Sequence, residues 1–510
     1  MWWMGKADVG SGLSATPGAQ NAGIVVRDEP HAGQMISVRP TSPMVMNSAS
    51  VHRDQIVSSY INIYFPDDIK GSIGLDPWYS LISAVSEMPN KPIMLEKALA
   101  ATSCIYIGRT KRDNHLLSQG LQLYNGAIRH VSHQLSRKNY TDDLFYTLGI
   151  FQVLATLYCP AGLHSLIHQT AVTNGIFQQC FRHVSNTPLI KTLCLAFQRM
   201  RLLKALSPME AKSGVELVIE HSPDELVSDE DQAVDELFHL MAGIAPISAA
   251  LGMTDVSDDD ACHLLLQDSL AHRDKMLSWY SREIRRIGGA PSVGQSGEFP
   301  SSTIPSAEHM FGLPYRFPTL DNARIHIVYW AALSILQELI GQAYAYTYPY
   351  APVDSNNKNK EHQLAEYYAD EISRGIPYCL QDSMKAWGAS GTIFGMGQIA
   401  KVYMELGNSE KFMWSQELFK HEAELGSDLA YHMHHLLLFS WDASQKARQG
   451  ALSPESWSST SHQSVPATPP SPVSSLSSAS TAPFKEEYAS MPGTINVPVR
   501  PKLESDELEC

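Results

Sequence analysis

The chain has 510 residues, of which 44% are hydrophobic, and carries a formal net charge of −15 at pH 7. This length and apolar content suffice for a large buried core. The acidic balance argues against non-specific nucleic-acid binding by the whole chain, because neutralising phosphates requires clustered Lys and Arg.

The first helical pattern follows a polar N-terminal segment. Residues 1–50 are rich in Gly, Ala, Ser and Pro and show no helix or strand period, so we predict that they are disordered. From His52 apolar residues recur at helical spacing as far as Tyr64, and Pro66 ends this helix. A second short helix is predicted around Trp78 to Val85.

The segment from Lys91 to Leu135 has the pattern of two antiparallel helices joined by a short basic turn. Gly120 and Ala127 lie beside the apolar stripe of its second half, so that a neighbouring helix can approach closely. That stripe has apolar residues at alternating steps of four and three, namely Leu117, Leu121, Tyr124, Ile128, Val131 and Leu135. The spacing predicts a helical hairpin, in which the polar stretch after Tyr106 forms the turn.

Helical patterns continue to the middle of the chain. Thr141 is a predicted N-cap, a helix follows at about Pro188 to Leu206, and residues 207–231 form an acidic surface loop. The long amphipathic pattern from Asp258 to Ile287 repeats every seven residues at Leu270, Leu277 and Ile284, and Arg273 interrupts the seam. The companion positions of this seam are Leu266, Tyr280 and Ile287. Packing inside a helical domain is the favoured interpretation, and a dimeric coiled coil is the alternative.

The second half begins with a Gly-, Pro- and Ser-rich segment over Gly288 to Pro318, which we predict to be an exposed excursion. Asp321 to Ala345 then forms a strong helix with one wide apolar face. Helical patterns extend to about Arg448, and residues 451–510 are predicted to be a disordered Ser/Pro-rich tail. Its acidic end has the composition of an activation segment or of a solvated tail.

No pattern in the chain indicates catalysis. Tyr431 to His435 holds three imidazoles, but on a helix His434 points away from His432 and no Cys or acid stands nearby, so we predict an ordinary helix surface. Phosphate-binding loops, nucleophile elbows and His-Glu-x-x-His motifs are all missing from the sequence, and Asp258 to Asp260 indicates a helix cap. We therefore predict that the protein is not an enzyme and has no metal site and no cofactor.

Other clusters have two interpretations each. Arg109, Lys111 and Arg112 would solvate a turn, and Arg282, Arg285 and Arg286 would complement a helix C-terminus, with a weak nuclear import signal as the alternative. The alternating tyrosines would either close the helical bundle, which we favour, or line a ligand pocket. They are Tyr344, Tyr346, Tyr348 and Tyr350.

The cysteines and apolar runs indicate the compartment. None of the seven cysteines forms a C-x-x-C pair, and six lie in or beside apolar helical patterns, which is typical of buried thiols in a reducing compartment. The N-terminal stretch lacks the apolar run of a signal peptide, and no window reaches the ~18 uninterrupted apolar residues of a membrane span. We therefore expect a soluble intracellular protein.

Several motifs resemble one known family. The shared features are an Ala-Leu-Ala-Ala-x-Ser helix at 98–103, the Gly108-Arg109 turn, a Leu-x-Leu-Tyr-x-x-Ala-Ile helix at 121–128, the triplet Tyr329-Trp330-Ala331 and the pair Pro377-Tyr378. From about His52 to about Arg448 the chain resembles the regulatory domain of fungal zinc binuclear cluster transcription factors. In that family Pro377 and Tyr378 belong to a turn.

The resemblance implies an all-α regulatory domain over 51–450, arranged as helical hairpins in a bundle. It implies a fungal, nuclear transcription regulator, with some cytoplasmic protein, that controls a metabolic or biosynthetic gene set. Its partners would be the transcription machinery or a family dimer partner, and a homodimer is one alternative.

The zinc cluster of the family does not carry over to any residue here. Its DNA-binding module uses six cysteines, whereas the first cysteine of this chain is Cys104, inside a predicted helix. We expect the module to be either lost or encoded upstream, and DNA contact to be indirect. The alternative function is that of a helical scaffold, adaptor or ligand-binding protein with no direct role at promoters.

Overall fold

The computed structural model describes residues 48–67, 69, 77–159, 187–206, 229–299, 304–348 and 356–452, with scattered positions between 173 and 185. This described part is almost entirely helical, which confirms the predicted all-α class. Its strands, β1 (Ser292–Val293) and β2 (Tyr315–Arg316), pair antiparallel over two residues each. The predicted disordered tails lie outside the described residues, except that helices include residues 48–50 and 451–452.

Six helices with described bounds in the N-terminal half surround one hydrophobic cluster. They are α1 (Ser48–Tyr64), α2 (Pro77–Glu87), α3 (Ile93–Thr110), α4 (Asn114–Ser136), α5 (Asp142–Leu157) and α6 (Pro188–Leu206). Side chains cap two of them as helix N-termini require: Asp113 accepts from the backbone of α4, and Thr141 accepts from the amide of Leu144. The predicted helices at 52–64, 78–85 and 188–206 are confirmed.

The α3–α4 hairpin confirms the prediction for 91–135 and shows how its helices approach. A Cβ built on Gly120 would lie 2.7 Å from Cγ1 of Ile105, so only glycine fits at this crossing. Gly120, Ala127 and Val131 are buried, whereas the larger residues of the predicted stripe are mostly half-buried. Small residues therefore form the centre of the contact, and the larger ones flank it.

The C-terminal half contains the remaining helices and a second, larger hydrophobic cluster. They are α7 (Asp229–Ala242), α8 (Ile244–Met253), α9 (Asp259–Glu283), α10 (Glu308–Phe311), α11 (Leu320–Thr347), α12 (Asn356–Cys379), α13 (Lys385–Ser390), α14 (Ile393–Leu406), α15 (Ser409–Glu424) and α16 (Asp428–Leu452). A short 3₁₀ turn, Asp382–Met384, precedes α13.

Helix α11 is the centre of this half, because α8, α9, α12 and α14 all pack against it. We predicted one wide apolar face, but α11 is buried on every side, including the polar residues His326, Ser334 and Glu338. The prediction of a single face was wrong because several helices, and not one, surround α11. Its buried polar groups consequently need partners on those helices.

Two further sequence predictions differ from the structure. Helix α12 continues through Pro377, where we expected a turn, and a proline three residues from a helix end removes only one backbone hydrogen bond. The segment 288–318 contains the β1–β2 pair and buries Tyr315 and Phe317, so it is not simply an exposed excursion. Residues 207–228 of the predicted acidic loop lie outside the described residues.

The predicted packing of α9 inside the domain is correct, and its predicted seam is correct only in part. Leu266 of the seam is buried but Leu277 is exposed, and Met276 and Trp279 are buried although they lie outside the seam. The buried face is therefore rotated away from the seven-residue repeat. Trp279 donates its Nε1 hydrogen to the Ala233 carbonyl oxygen at 3.1 Å, which ties α9 to α7.

One stretch of the described residues, Gln232–Met253, is long and apolar enough by mean composition to cross a membrane, although charged residues interrupt its apolar run. It is not one continuous helix, because α7 ends at Ala242 and α8 begins at Ile244. Leu237, Met241 and Ile244 are completely buried within the larger cluster. The stretch therefore contributes residues to the core, although only 28% of its apolar window is buried inside the domain.

Ion pairs and rings join the two halves. Arg109 on α3 pairs with Asp428 of α16 at 2.5 Å and donates to the Leu157 carbonyl oxygen at 2.6 Å. Asp428 also accepts from the amide of Cys159 at 2.6 Å. The ring of Trp387 packs against residues of both clusters. Arg109, which we predicted to solvate a turn, instead holds three helices together.

Candidate functional site

A buried ion pair lies between α11 and α14. Glu338, only 6% exposed, accepts from the Lys401 ammonium group and from Nε2 of Gln398 at 3.1 Å. The same Gln398 amide lies 3.1 Å from Oγ of Ser334. Burial alone would lower the pKa of Lys401, but the carboxylates of Glu338 and Glu405 raise it well above its ordinary value. Lys401 therefore remains charged inside the domain.

A small cavity of about 80 Å³ opens beside this ion pair. Its polar wall is formed by Glu338, Gln398 and Lys401, and the opposite wall is mainly apolar. The remaining lining residues are Leu206, Ile244, Ala245, Ser248, Ile335, Leu339 and Gln342. The Oε1 atom of Gln398 is buried and makes no hydrogen bond within the described part of the chain. This volume accommodates a few waters or one small molecule with a hydrogen-bond donor.

A second polar network joins α12, α14 and α15. Lys411, 5% exposed, contacts Oδ1 of Asp370 at 2.6 Å and Oε1 of Glu366 at 3.0 Å. The hydroxyl group of Tyr403 donates to Asp370 at 2.9 Å and lies 2.8 Å from Oγ of Ser373. Burial raises the pKa of Asp370, and Lys411 opposes this effect. Because each charge has a partner, the network serves packing and leaves no activated nucleophile.

A third network fixes the β2 strand on α12. The hydroxyl group of Tyr315 donates to Oε2 of Glu371 at 2.7 Å, and Arg374 contacts both residues. The Arg374 guanidinium lies 3.9 Å from the centre of the Tyr315 ring. Burial, followed by the hydrogen bond to Glu371, raises the pKa of Tyr315 far above its ordinary value. This hydroxyl group therefore remains protonated and holds the strand in place.

The histidine cluster of α16 forms ordinary helix contacts. Nε2 of His432 lies 2.8 Å from the Cys159 carbonyl oxygen, and the rings of Tyr431 and His435 are 4.4 Å apart. Throughout the described ranges there is no group of three or more His, Cys, Asp or Glu that could hold a metal ion. His432 and His435 thus point to different neighbours, and the cluster is not assembled as a ligand set.

The other sequence candidates have structural partners. Arg282 and Arg286 both pair with the buried carboxylate of Glu283, at 2.7 Å each, so they do more than complement a helix end. Asp258 caps α9 as predicted, accepting from the Ala261 amide at 3.0 Å. Tyr344 stacks on Tyr348 with their ring centres 6.4 Å apart, and neither lines the cavity. Tyr350 lies outside the described residues. The six cysteines that we predicted to be buried thiols are buried.

Helix α16 also presents a row of aromatic side chains to solvent. Tyr431 is 49% exposed and Phe439 is 64% exposed, with exposed His435 between them. Residues spaced by four lie on one face of a helix, so these three side chains form a single stripe, which we call the α16 stripe. Exposed aromatic side chains along one stripe form a small patch, and such patches are candidates for contact with another protein.

Comparison of the chain with protein-family models, with curated proteins and with solved structures gave no match. Functional reasoning therefore depends on the residues and on their geometry. Sequence reasoning missed the Glu338–Lys401 pair, whose partners lie on different helices. The sequence feature that could have indicated this pair is the charged residue Glu338 within the mainly apolar pattern of α11.

Proposed function

We propose that this chain is an all-helical regulatory protein of transcription that acts through contacts with other proteins. The α16 stripe is the observation that carries the proposal, because it places large aromatic side chains in water on an outer helix. Burying the exposed part of one such side chain stabilises a complex by about 1–2 kcal/mol. The role in transcription is supported by the family resemblance of the segments at 98–128, 329–331 and 377–378.

The α16 stripe has the complementarity needed to pair with a second copy. Asp442 and Lys446 are exposed and continue the same face beyond Phe439. If two α16 helices pair antiparallel about Phe439, Asp442 of one copy faces His435 of the other and Lys446 faces the Tyr431 ring. Such a two-fold contact uses the same residues on both copies, as closed dimers do.

Light scattering during size-exclusion chromatography of the full chain tests this pairing. We expect a dimer that dissociates in Phe439→Ser, because serine removes the central apolar contact. The matched control is Ile93→Ser on α3, where the native side chain is 53% exposed but lies in the other half of the domain. A monomeric wild-type chain at about 100 μM, well above the Kd of a weak dimer, would refute the pairing.

Two cellular measurements test the transcriptional role. We expect nuclear accumulation of the protein and crosslinking to promoter chromatin through its partners. A wholly cytoplasmic protein, together with no transcript change when the gene is deleted, would contradict the role. Sequencing upstream of Met1 distinguishes a lost zinc cluster from one encoded in an earlier exon.

Small-ligand binding is a second candidate function, and the cavity beside Lys401 favours it. A Ser248→Leu substitution would place a larger apolar side chain at the cavity wall, at a half-buried position on α8. We expect a ligand found in a thermal-shift screen of small amides and ammonium compounds to stabilise the wild-type chain but not this variant. A ligand that stabilises both chains equally binds elsewhere, and that result would reject the cavity as its site.

A further inference from the structure

A second exposed apolar surface lies where α8, the start of α9 and the end of α11 meet. Met253 is 80% exposed, Leu264 is 60%, Tyr348 is 49% and Val256 is 45%. We call these four residues the apolar cap. Isolated exposed apolar side chains are common in soluble proteins, whereas a contiguous group of this kind marks an interaction site.

Contacts within the fold bring together the segments that carry the apolar cap. The Thr347 hydroxyl group donates to the Cys262 carbonyl oxygen at 3.2 Å, which joins the end of α11 to the first turn of α9. The rings of His263 and Tyr348 are 5.6 Å apart. The α8–α9 loop joins the same place, because Sγ of Cys262 lies 3.8 Å from the Asp255 carbonyl oxygen. Leu264, Tyr348 and Val256 are each adjacent in sequence to one of these contact residues.

The charged residues beside the apolar cap in the α8–α9 loop and the first turn of α9 are all acidic. Asp255, Asp258, Asp259 and Asp260 are all exposed. From residue 229 to residue 272 the sequence contains no Lys and no Arg. Asp259 and Asp260 form no ion pair with any residue that the structure describes. The rim is therefore acidic along the α8–α9 side of the apolar cap.

We propose that the apolar cap and its acidic rim dock a basic amphipathic helix of a partner protein. The negative rim repels a second copy of the same surface, an anionic membrane and a nucleic acid, whereas Lys and Arg flanking an apolar stripe complement it. Exposed Met253 suits such a site because its flexible thioether side chain adapts to different apolar surfaces. The docking mode is that of a helix laid on an apolar surface.

This inference rests on the proposed role in protein contacts, but it uses a surface separate from the α16 stripe. Phe439→Ser is therefore expected to abolish self-association and to leave docking at the cap unchanged. If the wild-type chain forms the dimer but does not bind a basic helix at the cap, only the present inference is refuted. The two proposals are thus tested separately.

The probe is a fluorescent synthetic peptide of about 18 residues, long enough for five helical turns, with Leu on one face and Lys elsewhere. Its control has the same composition in an order that is not amphipathic. Binding to the full 510-residue chain is measured by fluorescence anisotropy. We expect the amphipathic peptide to bind more tightly than its control, and its affinity to fall at least tenfold from about 50 to about 300 mM salt.

Two variants identify the surface. Met253→Ser with Leu264→Ser is expected to weaken binding at least tenfold, because it removes the two most exposed apolar groups. Asp259→Asn with Asp260→Asn is expected to weaken binding chiefly at low salt. Ile93→Ser is the control and is expected to have no effect. Binding that is equal in the Met253/Leu264 variant, or equal for both peptides, would overturn the proposal.

Discussion

Glu422 on α15 offers a sharp test of the electrostatics of this core. Its side chain is 1% exposed, and neither carboxylate oxygen forms a hydrogen bond in the described part of the structure. Burial raises the pKa of this carboxyl group from 4.5 to about 8. The folded chain therefore holds Glu422 protonated at neutral pH, whereas the unfolded chain ionises it.

The sign of the effect follows from proton binding. Between pH 4.5 and about pH 8 the folded state binds one proton that the unfolded state has released, so the free energy of unfolding falls as pH rises. The slope is about 1.4 kcal/mol per pH unit, which amounts to about 3 kcal/mol of lost stability at pH 7. Glu422→Gln keeps the neutral form at every pH and removes this loss.

Urea unfolding of wild-type and Glu422→Gln chains, followed by circular dichroism, measures the difference. We expect nearly equal stability at about pH 4 and a variant more stable by about 3 kcal/mol at pH 7, since other titrating groups cancel between the two chains. The glutamine adds no unpaired polar group, because the carboxyl group already has no partner. A difference that is constant between about pH 5 and pH 8 would refute the buried neutral carboxyl group.

Three further results are expected. Gly120→Ala should cost about 1–3 kcal/mol in urea unfolding, because its Cβ would lie 2.9 Å from the backbone nitrogen of Ile105. In Gly126→Ala on the same helix the new Cβ meets only a flexible lysine side chain at 3.3 Å, so the substitution should stabilise the chain by as much as about 1 kcal/mol. Destabilisation by both substitutions would contradict the assignment of Gly120 alone to the helix crossing. Lys411→Met should lower the free energy of unfolding by about 3 kcal/mol, because it leaves buried Asp370 without its cationic partner. Adding Asp370→Asn should restore part of this loss. Mobility-shift and metal analyses should detect no salt-resistant, sequence-specific duplex binding and no stoichiometric zinc in the purified chain, and a tight specific complex would overturn the indirect role at DNA.

The sequence predicted the helices because their patterns are local. The α3–α4 hairpin, the Thr141 cap and the Asp258 cap all follow from spacing within about four residues of the chain. The predicted seam of α9 was only partly correct because seven-residue spacing identifies candidate faces of a helix without showing which of them is buried. The neighbours α7 and α11 select the face that contains Ser269, whose hydroxyl group returns to the Leu265 carbonyl oxygen at 2.7 Å.

The polar sites could not be predicted because their partners are distant in sequence. Lys401 meets Glu338 across 63 positions, and Tyr315 meets Glu371 across 56. No periodicity links such residues, and a lone charge in an apolar pattern indicates only that a partner exists. For the same reason the burial of Tyr315 within a Gly- and Pro-rich segment could not be read from local composition.

Among the motifs that carry the family resemblance, the triplet Tyr329-Trp330-Ala331 is buried in the core, and Tyr378 packs against it from a half-buried position. The ring of Tyr329 stacks on Tyr280 at 4.5 Å, and the Trp330 ring lies 5.7 Å from the ring of Tyr315. Tyr378 contacts the ring of Phe317 at 5.3 Å. Side chains in such positions determine which helices pack and at what distance, so a shared motif of this kind bears on the fold. The binding that we propose uses instead the exposed residues of the α16 stripe and the apolar cap. Substitutions on those surfaces can therefore separate the function of this domain from its stability.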